Sequence, residues 1–211
     1  GTREPIDPVR FLGNRSSGRQ GAALAAEAAA RGAEVTLVSA NISGDVLAEV
    51  RHPSIRIVPV GAAAELSAAM KREAAGADVV VMAAAVADYR PVEVSERKLT
   101  KEGGGVPAIE LVENEDIVAA LASSRRPGQL VVGFAAETPE NEAELLARAR
   151  GKQQRKGVDL LVVNEVGWER GFESAQNAVH ILGPAGVDAG SASGSKRAVA
   201  AAIWDAVQRE R

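Results

Sequence analysis

G-N-R-S-S-G-R-Q-G-A-A-L-A-A-E-A-A-A-R-G-A-E-V-T-L-V-S, from Gly13 to Ser39, sets a glycine-rich loop, an alanine-rich stretch and an apolar run end to end. The alanines recur with helical period from about Gly18 to Arg31, and Gly32 closes that helix. Glu34–Ser39 then has the length and composition of a strand. Loop, helix and strand in this order are one unit of an α/β protein. Outward from it the same alternation continues. Strands are expected at Ile55–Val60, Asp78–Ala83, near Ala108–Val112, and at Gln129–Ala135, Asp159–Val163 and Asn177–Leu182. Helices are expected at Ala62–Ala75, Glu115–Ser123, about Pro139 to Lys156, and about Ser195 to Arg211. Gly76 and Gly157 end two of them.

The expected fold class is therefore α/β, a Rossmann-like three-layer sandwich with a mostly parallel sheet, and residues 1–211 form one domain. At 211 residues the chain can bury a full core. Gly1-Thr2-Arg3-Glu4-Pro5 reads as a loop. A helix starting at Gly18 in a parallel unit should follow a strand, so the chain is expected to begin just after its first strand, as a fragment of a longer polypeptide.

Composition excludes several function classes. Aromatic residues are 3% of the chain and the formal net charge is -3, so neither a basic nucleic-acid surface nor a stacking platform is expected. Cysteine is absent, which removes disulfides, thiolate catalysis and Cys-based metal sites and fits a cytoplasmic protein. His52 and His180 are too few for a histidine-rich metal centre. No apolar run approaches the roughly 20 residues that span a bilayer, so no membrane partner is expected. G-x-S-x-G and H-E-x-x-H are both missing, which argues against Ser or zinc hydrolysis.

The loop Gly13–Gly21 is suited to a phosphate. Gly18 and Gly21 allow close backbone approach, the helix that follows has unpartnered first-turn N–H groups, and Ser16 and Ser17 add hydroxyls beside Arg15 and Arg19. It is neither a Walker loop, because Arg19-Gln20 replaces Lys-Ser/Thr, nor G-x-G-x-x-G. The alternative is a helix start whose glycines serve packing alone. A second candidate lies past the strand Asp78–Ala83, where Asp88, Tyr89 and Arg90 sit at a carboxyl end, the place where open α/β sheets bind ligands. Asp88 and Arg90 are equally readable as a local ion pair. Lys98 and Lys101 precede the glycines 103–105 in a segment able to close over a ligand, or simply in a solvated loop. Lys152, Lys156 and Arg148 form a basic stripe at a helix end, which the helix dipole explains without any ligand. Phe134 is a core residue unless a base stacks on it. Ser39-Ala40-Asn41 lacks the acidic residue that holds an NAD ribose, though NADP stays open.

Taken together, D-P-V-R-F-L-G-N-R-S-S-G-R-Q-G (Asp7–Gly21), A-A-A-V-A-D-Y-R-P (Ala83–Pro91), K-L-T-K (Lys98–Lys101), N-E-D-I (Asn114–Ile117) and V-V-G-F-A-A-E-T (Val131–Thr138) resemble phosphopantothenate–cysteine ligase over nearly the whole chain. In bacteria this ligase is usually the C-terminal half of a bifunctional coenzyme A biosynthesis protein, behind a decarboxylase that holds FMN. The resemblance implies ligation of 4'-phosphopantothenate to L-cysteine with CTP and Mg²⁺. The carboxylate attacks the α-phosphate, pyrophosphate leaves, and cysteine's amine displaces CMP from the acyl-cytidylate.

It further implies that Asn14 assists the acyl intermediate and that Lys98 engages the nucleotide as the second catalytic group. Nucleotide contacts are implied at Met82, Ala83, Ala84, Asp88, Glu115, Asp116, Ile117, Val118, Phe134, Lys152 and Lys156, with Ser16, Ser17 and Gly18 in the phosphate loop. Asp88 either holds Mg²⁺ through the phosphates or binds the nucleotide directly. The family forms homodimers, although these residues carry no dimer signal of their own. Departures are Arg19 for Lys, Thr100 in the lysine motif, Glu115 for Pro, and Ala175 for Asp in G-F-E-S-A-Q-N. Two other classes remain in competition: an NADP-dependent oxidoreductase, for which no Tyr-x-x-x-Lys pair is present, and a non-catalytic nucleotide-binding module.

Overall fold

The structure, a computed structural model, describes residues 1–100, 108–138, 140–165 and 176–211. In chain order the strands are β1 (Arg3–Pro5), β2 (Phe11–Gly13), β3 (Val35–Ala40), β4 (Ile55–Val60), β5 (Val79–Met82), β6 (Tyr89–Pro91), β7 (Leu111–Glu113), β8 (Leu130–Glu137), β9 (Leu160–Glu165), β10 (Gln176–Leu182) and β11 (Asp188–Ser195). The helices are α1 (Arg19–Ala30), α2 (Gly44–Ala48), α3 (Ala63–Ala74), α4 (Ile117–Ser123), α5 (Glu142–Lys156) and α6 (Lys196–Arg209).

The main sheet runs β11-β10-β9-β8-β5, and β3 pairs with β4 beside it. β5, β8 and β9 are mutually parallel, as are β3 and β4, while β10 and β11 add an antiparallel edge. Parallel strands covered on both faces need apolar side chains on both. The runs Val79–Met82 and Leu160–Val163 have this character. Val131, Leu161 and Val163 point into one layer with Leu66 of α3, Leu121 of α4 and Leu145 of α5. Val132, Leu160 and Val162 point into the other with Leu24 of α1 and Val199, Ile203 and Val207 of α6. Period-2 alternation thus builds the two cores of an α/β sandwich.

The local capping is also explicable. Asn141 and Ser195 accept from Glu144 N and Ala198 N at the starts of α5 and α6, and Gly157 closes α5 in the left-handed conformation.

Two expectations are corrected, and one strand not expected from the sequence is present. Arg3–Pro5 is not a loop but pairs antiparallel with Phe11–Gly13. The strand expected near Ala108–Val112 is the short β7, which leaves the sheet and pairs with β6 as a hairpin. The segment Asp188–Ser195, which has no apolar run, is a full edge strand on β10. Two features make the N-terminal segment structural: Thr2 Oγ1 accepts from Ala87 N (2.9 Å), and the buried Glu4 carboxylate accepts from Ala63 N (2.9 Å) at the start of α3.

Candidate functional site

At the carboxyl ends of β5 and β8 lies a pocket of about 530 Å³, walled by the phosphate loop, the residues after β5, the start of α4 and the ends of α5, β9 and β10. Position 18 must be glycine. Its φ is +76°, and a Cβ there would stand 2.6 Å from Ile42 Cγ1. Asn14 anchors the loop by donating its Nδ2 to Val86 O (2.9 Å), tying it to the residues after β5. Ser16, Ser17, Gly18 and Arg19 line the same wall. Gln20 steadies the opposite side, donating to Lys196 O and accepting from Asn177 Nδ2, both at 3.2 Å.

Met82, Ala83, Ala84 and Asp88 form the floor and near wall with Phe134, which is half-buried and belongs to both the pocket and the core. The proposed Asp88–Arg90 pair is not formed. Arg90 instead donates to Glu113 O (2.8 Å) and Asn114 Oδ1 (3.0 Å), and Asp88 contributes its carbonyl to Asn114 N (2.8 Å). The Asp88 carboxylate is thereby left exposed on the pocket wall.

Glu115, Asp116, Ile117 and Val118 also line the pocket, but their side chains differ in fate. Glu115 turns to α3, where Lys71 Nζ (2.6 Å) and Ser67 Oγ (2.7 Å) hold its carboxyl below the usual range. Ile117 and Val118 are buried. Asp116 accepts from Ala119 N and from Lys156 Nζ (2.8 Å), which places the Lys156 cation on the wall.

The basic stripe does not act as one. Lys152 pairs with Glu137 (2.5 Å) and Arg148 with Glu144, and neither lines the pocket. Lys98 is also outside it, exposed, on a segment held from its neighbour: Leu99 N donates to Asp7 Oδ2 (3.1 Å) and Leu99 O accepts from Arg10 (2.6 Å). Burial pushes the Asp7 carboxyl up, but Arg10 and the N–H groups of Val9, Leu99 and Arg10 outweigh it and hold that carboxyl below its ordinary range. Lys101 and Ala175 fall outside the described residues.

Sequence reasoning missed Asn164, Asn177 and Lys196 as pocket residues. Asn164 and Asn177 come from strand ends brought together only by the sheet. Lys196 carried a signal: a cation in the first turn of a helix opposes the dipole. Burial pushes its ammonium down.

A family model described as "DNA/pantothenate metabolism flavoprotein C-terminal domain" matches residues 1–210. The "Coenzyme A biosynthesis bifunctional protein CoaBC" of Mycobacterium tuberculosis is 47% identical over 212 residues, 98% of this chain and 50% of the relative. This chain thus spans about half the length of that relative. Among solved structures, the C-terminal domain of a coenzyme A biosynthesis bifunctional protein CoaBC aligns at a TM-score of 0.75 with 31% identity, over 99% of this chain and 90% of that one. A Cab2 mutant in complex with phosphopantothenate-cysteine shares the fold at a TM-score of 0.73 with 17% identity, over 99% of this chain and 83% of that one. The chain belongs to the DNA/pantothenate metabolism flavoprotein C-terminal domain family.

Proposed function

We propose that this chain ligates 4'-phosphopantothenate to L-cysteine using CTP, through an acyl-cytidylate, giving 4'-phosphopantothenoylcysteine, CMP and pyrophosphate. One observation carries the reading: Asn14, the backbone after β5 and Lys156 line a single pocket in a chain of this family. The substrate carboxylate attacks the α-phosphorus, the bond to pyrophosphate breaks, and an acyl–phosphate bond forms. Cysteine's amine then attacks the acyl carbon, CMP leaves, and the amine's proton is lost to solvent or base.

Asn14 has a second N–H beyond the one that Val86 O takes, and it can donate to the oxyanion of the second step without bringing a charge. Gly18 and the two serines receive a phosphate at the start of α1. Small residues at 83 and 84 let a base or sugar lie against the backbone, with Phe134 beside them. Lys156 supplies a cation already oriented by Asp116. Lys152 completes the nucleotide contacts only after leaving Glu137 and Lys98 only after its segment moves, and that movement would bring charge to the pyrophosphate as it leaves.

Among the described residues no three His, Cys, Asp or Glu side chains converge as a metal cage. The exposed Asp88 carboxylate fits Mg²⁺ held mainly by substrate phosphates with one protein carboxylate. When bound, the ion neutralises charge on the triphosphate.

A homodimer is part of the reading. Tyr89, Val92, Leu111 and Val112, on and beside the β6–β7 hairpin, are exposed and apolar, and the hairpin also supplies Tyr89 and Glu113 to the pocket wall. FMN belongs in this reading to a decarboxylase domain outside the chain. The cytoplasm is the proposed setting; among the described residues no helix is long and apolar enough to cross a membrane.

An NADP site is less well supported, since the Asn41 amide where a ribose contact would fall is taken by Gly1 O (3.0 Å) and Gly61 O (2.8 Å). The test is Asn14→Asp. CTP affinity should stay within about twofold while product formation falls by roughly 10²–10³, the usual loss for an oxyanion donor. Undiminished turnover would refute the assignment.

A further inference from the structure

One cation in the pocket wall has no part in the reaction as derived so far. Lys71, Lys152 and Lys156 each pair with a carboxylate, Glu115, Glu137 and Asp116 in turn. Lys196 lines the pocket half-buried, and among the described residues no carboxylate stands within ion-pair distance of it. Two of the acids on the pocket wall, Glu115 and Asp116, are already held by Lys71 and Lys156.

The residue type also runs against its helix. The first turn of a helix favours anions, and α3 and α5 follow that rule, with Glu65 in one and Glu142 and Glu144 in the other. None of these three acids lines the pocket. α1 and α6 do the reverse. Neither has an acid in its first turn; α1 opens on Arg19, and α6 opens on Lys196 and Arg197. These two helices are joined at the pocket wall, where Gln20 Nε2 donates to Lys196 O (3.2 Å). Burial pushes the Lys196 ammonium below its usual range, and the helix dipole disfavours its charge further. No contact among the described residues offsets that cost, whereas an anion in the pocket would.

The two basic poles of the pocket identify the part of the ligand concerned. Lys156 is neutralised by Asp116 at the start of α4. Lys196 is not neutralised, and its helix start is bonded to Gln20, two residues beyond Gly18 in the phosphate loop. A nucleoside triphosphate has the matching asymmetry, with little charge at its base and sugar and most of it on the β- and γ-phosphates. We propose that Lys196 is the cation that receives the β- and γ-phosphates of CTP and stabilises the pyrophosphate as it leaves. When the bond between the α-phosphorus and the bridging oxygen breaks, its electron pair stays on that oxygen, so negative charge grows on the leaving group. A fixed ammonium there stabilises the transition state more than the bound substrate. The inference rests on the CTP reading of the pocket.

The experiment measures dissociation constants for CTP, CMP and inorganic pyrophosphate with Mg²⁺ in the unaltered protein, Lys196→Met and Lys196→Gln, together with the Tm of each without ligand. Both substitutions should weaken CTP and pyrophosphate about tenfold, the scale of one charge-assisted contact, and leave CMP within about twofold. Tm should stay level or rise, since a half-buried cation has been removed from a helix start. Pyrophosphate binding that is absent, or indifferent to Lys196, would overturn the inference, and so would an effect confined to the KM for 4'-phosphopantothenate, by assigning the lysine to the phosphate of the other substrate. Equal weakening of CMP and CTP, or a Tm lowered by several degrees with all three ligands weakened, would overturn it by making the lysine structural. Because binding is read without turnover, CTP bound but never ligated would sink the ligase reading and leave this inference standing. Ligation with pyrophosphate affinity independent of Lys196 would do the opposite.

Discussion

The two concavities of this molecule share a rim but not a chemistry. The pocket at the strand ends is walled by the polar and charged groups Asn14, Asp88, Lys156 and Lys196, of which Asn14 and Lys156 are oriented by hydrogen bonds. The other, a cleft of about 950 Å³ between β3 and β5, is larger, shares Ser16, Gly18 and Met82–Ala84 with the pocket, and is faced by valines and leucines. Volume alone would make the cleft the ligand site. The chemistry of the walls decides otherwise, because a phosphorylated ligand requires fixed donors and cations. Residues on the shared rim should therefore affect both stability and binding, and residues on the far pocket wall should affect binding alone.

After Asn14→Asp, the largest expected effect falls on the rim. Gly18→Ala forces a side chain into a φ of +76° and against Ile42. Stability should drop by roughly 2 kcal/mol, a fall in Tm of about 5 °C for a chain this long. CTP affinity should fall as well. Adding Ile42→Ala would relieve the collision but not the backbone conformation, so recovery should be partial. Full recovery in thermal melts would mean that only the collision mattered, and no loss in the single variant would remove the case for a required glycine.

Lys156→Ala sharpens the comparison from the far wall, with a smaller effect. The Lys156–Asp116 pair is half exposed on the Asp116 side, so its removal should cost less than ~1 kcal/mol of stability. CTP titrations should show a dissociation constant raised about tenfold, the scale of one charge-assisted contact. A fall in Tm of several degrees with unchanged affinity would make the lysine structural.

The sequence disclosed the parts of the fold that obey a period. The helical spacing of Leu24, Ala25 and Ala28, and the unbroken runs Val79–Met82 and Leu160–Val163, have the same meaning in any α/β chain because both faces of the sheet are covered. Arg3–Pro5 was not legible. Three residues with a terminal proline have no strand signature, and their order comes from distant partners of Thr2 and Glu4. Asp188–Ser195 was hidden for a related reason, since an edge strand with Gly190 and Gly194 at φ +120° buries little and is held by its ladder to β10.

In the candidate site, the phosphate loop and the residues after β5 stood out because special backbone needs special residues. Positions of long side chains did not. Lys98 and Lys152 were grouped with the pocket on motif alone, and the fold places both outside it, Lys152 paired with Glu137 and Lys98 exposed on a segment whose next residue, Leu99, is held by Asp7 and Arg10. Asn177 and Lys196 join the pocket through the fold, where both contact Gln20.

The most direct test of the proposed activity is pyrophosphate release from CTP and Mg²⁺ with 4'-phosphopantothenate, with and without L-cysteine, and with ATP in parallel. Release that requires phosphopantothenate, prefers CTP and turns over repeatedly only when cysteine is present is the predicted result. CTP binding without release under any of these conditions would contradict the ligase and leave a nucleotide-binding module in its place.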